Sequence, residues 1–171
     1  MRIILGCLAA AAVLAAGPVW AETGYLDIHG VKQGAITAGG AGRSENRPEV
    51  LNVDFGITVP QNLGVATGRR SLQPVTFTLH WDRTAPMLFN AATTGEVLQV
   101  TYAGYAPNAE GVTKQTHSLQ LINARVVSFK IVDSDGSDGK LDPVVVVGMT
   151  ADKVTLTDSD SGTTATDDWN P

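Results

Sequence analysis

The chain has 171 residues, of which 43% are hydrophobic and 17% are charged, and its formal net charge at pH 7 is −5. This length favours a single domain, which can bury roughly two-thirds of the surface that its unfolded chain exposes. The few basic residues form no stripe that could neutralise phosphates, so the composition argues against nucleic-acid binding.

Residues 1–21 have the three parts of a secretory signal peptide. Arg2 gives a positive start, an uncharged run follows it, and Val19-Trp20-Ala21 places small residues at the positions that a signal peptidase reads. The alternative is an uncleaved membrane anchor, but such a span needs about 20 apolar residues. We therefore expect cleavage before Glu22, export to the periplasm or the extracellular space, and no membrane contact of residues 22–171.

Cys7 is the single cysteine of the chain and lies inside the predicted signal peptide. A lipid-attachment role for this residue would leave almost no apolar region ahead of it, so we do not expect a lipoprotein. The mature chain then contains no cysteine, and disulfide bonds contribute nothing to its stability. Loss of Arg2 also makes the net charge one unit more negative.

The first half of the mature chain alternates apolar and polar residues with the period of β-strands. This pattern predicts strands over 25–30, 52–59 and 75–81, with glycine-rich or polar loops over 34–48 and 61–74. The predicted buried faces consist of alternating apolar residues: Leu26, Ile28, Val53, Phe55, Ile57, Val59, Val75, Phe77, Leu79 and Trp81.

One helix is predicted over residues 84–94. Asp82 or Thr84 can cap its start, and Gly95 suits its end. Apolar residues at i, i+3 and i+4 give it one narrow face that can dock on a sheet, formed by Leu88, Ala91 and Ala92.

The rest of the chain again has strand periodicity, and a polar tail from Asp158 is expected to lie extended. The predicted strands are 97–105, 116–122, 125–132, 143–149 and 152–157. Many short strands with one short helix predict a mainly β fold, a compact antiparallel β-barrel or sandwich over residues 22–171.

Six collinear segments resemble the haemolysin-coregulated protein (Hcp) family, and together they extend over essentially the whole mature chain. They are Tyr25 to Gly34 (YLDIHGVKQG), Glu49 to Ile57 (EVLNVDFGI), Gly68-Arg69-Arg70 followed by Pro74 to Thr78 (PVTFT), Asp82 to Pro86 (DRTAP) with Thr94-Gly95-Glu96, Leu121 to Ala124 (LINA), and Asp167 to Asn170 (DDWN). Each segment alone is a weak signal, but six in the same order are hard to obtain by chance.

The resemblance implies a structural protein and not an enzyme. Hcp proteins are the ring and tube subunits of type VI secretion, and the family implies that six copies close a ring. Rings stack into a tube whose lumen can hold small effector proteins. The loops before Pro48 and before Pro74 are then the expected contact arms between copies, because polar, glycine-rich loops can drape over a neighbour.

The signal peptide departs from the family pattern, since tube-forming members are generally made without one. An exported copy is expected to form rings or tubes outside the inner membrane, or to serve another extracellular role. A misplaced gene start, with the true chain beginning at Val19, is a rival explanation.

Arg69, Arg70 and Trp169 are the candidate residues for a subunit interface. The arginine pair lies in the loop before Pro74, where it can engage carboxylates of the next copy, remain solvated, or form a processing site. Trp169 stands in a polar tail, and an aromatic residue there is expected to fold back or to dock on a neighbour.

The segment from Asp133 to Gly139 is the one chemical candidate, because Asp133, Asp135 and Asp138 could supply oxygen ligands to Ca²⁺. Aspartate, serine and glycine are also the residues that turns require, so we favour a hairpin turn and expect no cofactor. His29, His80 and His117 lie on separate predicted strands without zinc-ligand spacing. No serine-nucleophile motif is present, so we assign no catalytic residue.

Two other functions remain open at this stage. A monomeric periplasmic or extracellular β-barrel could use its loops to bind a ligand or protein, and it differs from a ring protein in its assembly. A secreted hydrolase requires the histidines and acids to converge in a pocket.

Overall fold

The computed structural model describes residues 22–39, 46–68, 70–108, 110–135 and 141–169. Thirteen strands and one helix lie in these stretches. The helix α1 spans Thr84–Thr94. In chain order the strands are β1 (Thr23–Gly30), β2 (Gly34–Ile36), β3 (Glu49–Asp54), β4 (Ile57–Thr58), β5 (Gln61–Asn62), β6 (Val65–Ala66), β7 (Ser71–Leu72), β8 (Val75–His80), β9 (Leu98–Pro107), β10 (Thr113–Asp135), β11 (Leu141–Thr150), β12 (Lys153–Asp158) and β13 (Thr164–Asp168).

Six of the strands close an antiparallel barrel. The order around it is β11, β8, β3, β1, β9 and β10, and β10 pairs again with β11. Closure depends on the length of β10: its N-terminal half pairs with β9 and its C-terminal half with β11. Closure leaves no terminal strand among these six, and the outer strands of the sheet are β2, paired with β1, and β13, paired with β12. The prediction of an antiparallel β-barrel with one short helix is therefore confirmed.

The barrel interior is filled by alternate residues of these strands, as period-2 geometry requires. Leu26 and Ile28 of β1 point inward, as do Val75, Phe77 and Leu79 of β8, all at 1% exposure or less. Strands β9 to β12 add a further set of buried residues: Leu98, Val100, Leu119, Leu121, Val126, Val145, Val147, Met149 and Val154.

Helix α1 covers one side of the barrel with the face that the sequence predicts. Leu88 and Ala91 are fully buried, and Ala92 is partly buried against the core. The Asp82 carboxylate accepts the backbone N–H of Thr84 at 2.8 Å, so this acid satisfies a donor of the first turn. Gly95 ends the helix in the left-handed conformation with φ 60°.

Glu96, just after the helix, is a buried carboxylate that fixes the turn between β1 and β2. Its Oε1 accepts the backbone N–H groups of Lys32 and Gln33 at 2.6 and 2.8 Å, and its Oε2 accepts the Gln33 side-chain amide at 2.7 Å. Any side chain at Gly30 would collide with this carboxylate. The Gly30-to-Gln33 turn and the Thr94-Gly95-Glu96 segment, both part of the family resemblance, are thus two sides of one contact.

Several predicted boundaries were wrong. The two strands 116–122 and 125–132 form the continuous β10, which bends where Asn123 has φ 54° and the register shifts. The tail is extended but not free, because β13 pairs with β12. The predicted loop 34–48 begins with β2, and Trp81 lies beyond β8 with 49% exposure instead of in the core.

Candidate subunit interface

The predicted loop 61–74 belongs to a hairpin-like arm, Ile57–Leu72, that leaves the barrel sheet after β3. Within it β4 pairs with β7 and β5 pairs with β6, in two small sheets that are separate from the barrel sheet. A bond from the Gln73 N–H to the Gly56 carbonyl, 2.9 Å long, closes its base. Its tip is Leu63–Gly64, where both residues have positive φ. These strands have two residues each, which is too short for an alternation of apolar and polar residues, so the sequence did not predict them.

Apolar side chains of the arm face solvent in the single chain. Leu63 is 98% exposed and Val65 is 66% exposed, while Ile57 and Val59, which we expected on a buried strand face, are 46% and 41% exposed. β3 ends at Asp54, so Ile57 and Val59 lie beyond the barrel strand. No charged residue occurs from Ile57 to Gly68. A neutral, apolar, projecting segment is typical of an interaction surface.

Arg70, at the return of the arm, joins it to the C-terminal strand. Its guanidinium donates two hydrogen bonds to the Asp167 carboxylate, one from Nε to Oδ2 at 2.9 Å. The same guanidinium stacks on the Trp169 ring, with 4.6 Å from Cζ to the ring centroid. We call Arg70, Asp167 and Trp169 the clasp. Arg69, the other member of the predicted pair, lies outside the described residues.

Trp169 folds back on its own chain. Its backbone N–H donates to the Asp152 carbonyl at 2.7 Å, which continues the β12–β13 ladder by one residue. The indole N–H is buried and has no hydrogen-bond partner in the part of the chain that the structure describes. The structure therefore brings two of the three predicted interface residues together in the clasp. Their contact with another copy stays a prediction.

The calcium candidates lie at the β10–β11 hairpin. Asp133 is opposite Pro143 and the backbone of Asp135 is opposite Leu141, so the ladder runs to the hairpin connection. Asp138 lies outside the described residues. Among the residues that are described, no group of three His, Cys, Asp or Glu side chains could hold a metal ion.

The three histidines lie on three strands, β1, β8 and β10, as predicted. His29 is exposed, and Nδ1 of His80 lies 3.9 Å from Oδ2 of Asp142. Nδ1 of His117 lies 3.2 Å from Oε1 of Glu22, which also accepts the Thr116 hydroxyl at 2.9 Å. His80 and His117 thus each lie near a different acid, and the two histidines do not share a site.

Two surface grooves lie elsewhere on the described residues. The first, the acidic groove of about 700 Å³, has apolar walls that include Leu51, Phe55 and Leu156, with Glu22 and Asp158 at its polar side. The backbone N–H groups of Ser161 and Asp160 hold the pKa of the Asp158 carboxyl below its usual value. This groove is therefore negatively charged at neutral pH.

The second, the aromatic groove, has a volume of about 540 Å³ and lies between helix α1 and the C-terminal half of β10. Its apolar walls are Trp81, Phe89, Phe129 and Ile131. The Phe89 and Phe129 rings meet edge to face with 5.6 Å between centroids. Sequence periodicity did not reveal this groove, because its residues come from two stretches, 81–89 and 129–131, that are far apart in the chain.

No helix in the described stretches is long and apolar enough to cross a membrane. The described residues form a closed β-barrel with an exposed apolar arm and surface grooves. Proteins of this class have surfaces suited to contacts with other chains.

Comparison with known proteins identifies the family. The model of the family described as "Type VI secretion system effector, Hcp" matches residues 25–157. The "Major exported protein" of Pseudomonas aeruginosa is 30% identical over 165 residues, an alignment that includes 87% of this chain and 96% of that protein. The chain therefore belongs to the Hcp family, as the six segments predicted.

Solved structures agree with this assignment over the whole barrel. A crystal structure described as "Hcp protein" has a TM-score of 0.80 at 26% identity, over 88% of this chain and 99% of that chain. The "Secreted protein Hcp3" of Pseudomonas aeruginosa has a TM-score of 0.72 at 28% identity, over 88% and 100% of the two chains. The chain is thus a type VI secretion tube protein of the Hcp family, which is a structural family and not an enzyme family.

Proposed function

We propose that the mature chain, Glu22 to Pro171, associates with further copies of itself into a closed ring, of six copies as the family resemblance implies, and that rings stack into tubes. The observation that carries this proposal is the match of the complete barrel to Hcp structures, with a TM-score of 0.80 over 99% of one of them. A ring requires a contact that is heterologous, since two different surfaces of each copy meet. The arm and the grooves supply distinct surfaces on one barrel.

Export by a cleaved signal peptide is the second part of the proposal. Removal of residues 1–21 would deliver the barrel to the periplasm or beyond it, and assembly would then take place outside the inner membrane. Mass spectrometry of the protein from a periplasmic fraction tests this step: a chain beginning at Glu22 supports it. A cytoplasmic chain that keeps residues 2–21 or begins near Val19 contradicts it.

The lumen of such a ring is proposed to hold small effector proteins. The support is the family resemblance, and the test is co-purification of a candidate effector with rings and its absence from a monomeric variant. An effector that binds the monomer equally well contradicts a lumenal site and favours the alternative, a monomeric binding module. The acidic groove of about 700 Å³ is the observation that favours this alternative.

Charge reversal at the loop before Pro74 tests whether the clasp side of the arm lies at a subunit boundary. We expect Arg69→Glu with Arg70→Glu to weaken assembly, because Asp167 then faces a carboxylate in place of its guanidinium partner and the arm loses its tie to β13. Unchanged oligomer mass in light scattering removes this loop from the interface. Lys114→Glu, which breaks the exposed Lys114–Asp160 pair of 2.7 Å, is the matched control.

A further inference from the structure

We propose that the arm of one copy inserts its apolar tip into the aromatic groove of the next copy, so that arm and groove form a one-way contact. This inference rests on the proposed ring and names the two surfaces that would close it. It assigns the projecting residue Leu63 to the groove walls Trp81, Phe89 and Ile131.

The aromatic groove is an apolar surface that the single chain leaves open. Phe89 is 55% exposed, Trp81 49% and Ile131 47%, although each is large and hydrophobic. Isolated exposed apolar residues are ordinary, whereas three that wall one groove of about 540 Å³ form a patch. Asp82 and Arg83 also border the groove, and the Asp82 carboxylate accepts a hydrogen bond from the start of helix α1.

The arm has the chemistry that this groove requires. Its exposed residues Leu63 and Val65 are aliphatic, and no charge occurs from Ile57 to Gly68. Burying this part of the arm, residues 57–68, against an aromatic wall therefore removes no charged group from water, which would be costly. The tip also has a fixed shape, because the β5–β6 pair holds Leu63 and Gly64 in a two-residue turn.

Charge distinguishes this groove from the acidic groove as the receptor. Insertion of the neutral tip, residues 57–68, into the acidic groove would cover Glu22 and Asp158 with a segment that carries no compensating charge. The two charged residues that border the aromatic groove, Asp82 and Arg83, are of opposite sign. β3, which lines the acidic groove, also continues directly into the arm of the same copy.

The two surfaces of this contact differ, as a head-to-tail ring requires. Each copy in a closed ring makes the contact twice, once through its arm and once through its groove, and a surface of one kind cannot pair with itself. Because every copy has one arm and one groove, all of them are occupied only when the copies close a ring or form an open filament.

The mature chain has no cysteine, so single cysteines can test the contact directly. We expect mature Leu63→Cys mixed with mature Phe89→Cys to give a disulfide-linked dimer under mild oxidation, in at least several-fold excess over either protein alone. Leu63→Cys mixed with Val112→Cys is the control, because Val112 is 61% exposed on a turn outside both surfaces.

Two results would overturn the inference. A dimer of Leu63→Cys with Leu51→Cys, and none with Phe89→Cys, would place the arm in the acidic groove. No dimer with either partner, when the wild type is a ring by light scattering, would remove the arm from the ring contact while the proposed function stands. A wild type that is monomeric overturns both the ring and this contact.

A second pair of variants gives a readout that cross-linking chemistry does not affect. Leu63→Asp blocks the arm and Phe89→Asp blocks the groove, so each protein alone is expected to be monomeric with an unchanged circular dichroism spectrum. Mixed together, they retain one intact arm and one intact groove, and the expected product is a dimer that cannot grow. Rings formed by Phe89→Asp alone would contradict the contact.

Discussion

Glu96 accepts three hydrogen bonds at 2% exposure, and it is the residue on which the turn after β1 depends. Burial raises the pKa of its carboxyl, but the hydrogen bonds from Gln33 and from the Lys32 backbone, together with the Lys32 charge, outweigh burial. The net pKa is lower than its ordinary value of 4.5. The ionised form is therefore the one that the fold stabilises.

Glu96→Gln should lower the free energy of unfolding by roughly 1–3 kcal/mol, because charge-assisted hydrogen bonds become neutral ones and one acceptor oxygen becomes a donor. Urea denaturation of the mature protein at pH 7 measures this change. Glu110→Gln, at an exposed acid in the turn before β10, is the control and should be neutral. Equal midpoints for the two variants would contradict the role given to Glu96.

The same carboxylate predicts a dependence of stability on pH. A depressed pKa means that ionised Glu96 stabilises the fold fully at pH above its unfolded value near 4.5, and that this contribution is lost as the pH falls through the folded pKa. The difference in unfolding free energy between wild type and Glu96→Gln should therefore be constant from pH 7 to about pH 6 and shrink toward pH 3. A difference that grows on acidification would contradict the sign of the shift.

At the scale of elements, β13 is the strand most dependent on local contacts. It pairs only with β12 in the described part of the chain, and the clasp secures its end through Arg70 and Trp169. Trp169→Ala should make the amides of Thr164–Asp168 exchange several-fold faster while the barrel amides are unaffected, because local opening needs no global unfolding. Hydrogen exchange measures this directly. Lys114→Ala is the control, because it removes the Lys114–Asp160 ion pair at the turn end of the β12–β13 hairpin and leaves the clasp intact. If Trp169→Ala changed the exchange of these amides no more than Lys114→Ala does, the role of the clasp would be contradicted.

The elements also show how far the sequence can predict this fold. Strands with a clean alternation, β1 and β8, match their predictions to within two residues, and helix α1 with its Gly95 end matches its predicted bounds. The N-cap position is Arg83 and not Asp82 or Thr84, although the Asp82 carboxylate does accept the Thr84 N–H. The bend at Asn123 was read as a break, because a residue with positive φ in mid-strand has no periodic signal. β13 and the arm strands are short or polar and lie largely exposed, so their sequences lack the alternation of apolar and polar residues that marks a half-buried strand.

Of the candidate interface, the sequence predicted Arg70 and Trp169 but not their contact, since they are far apart in the chain. The aromatic groove was missed for the same reason. Trp81 was assigned to the core by alternation, yet β8 ends at His80 and the chain turns into the helix, which leaves Trp81 on the surface. Exposure in the folded chain, and not hydrophobicity in the sequence, distinguishes a groove wall from a core residue.

For the whole molecule, the closed barrel leaves few places where copies can meet. Closure leaves no terminal strand in the barrel itself, and the arm, the two grooves and the β12–β13 hairpin carry exposed large apolar residues, among them Leu63, Val65, Phe89 and Leu156. Because arm and groove are different surfaces, the assembly is expected to be head to tail and to close with a fixed number of copies.

The mass of the mature protein, Glu22 to Pro171, measured by light scattering after size exclusion at several concentrations, tests the central claim most directly. We expect a discrete species of six copies whose mass does not change on dilution through the working range. Electron microscopy of that species then shows whether rings stack. A protein that is monomeric at every concentration would contradict the ring and leave a β-barrel that binds its partners as a single copy.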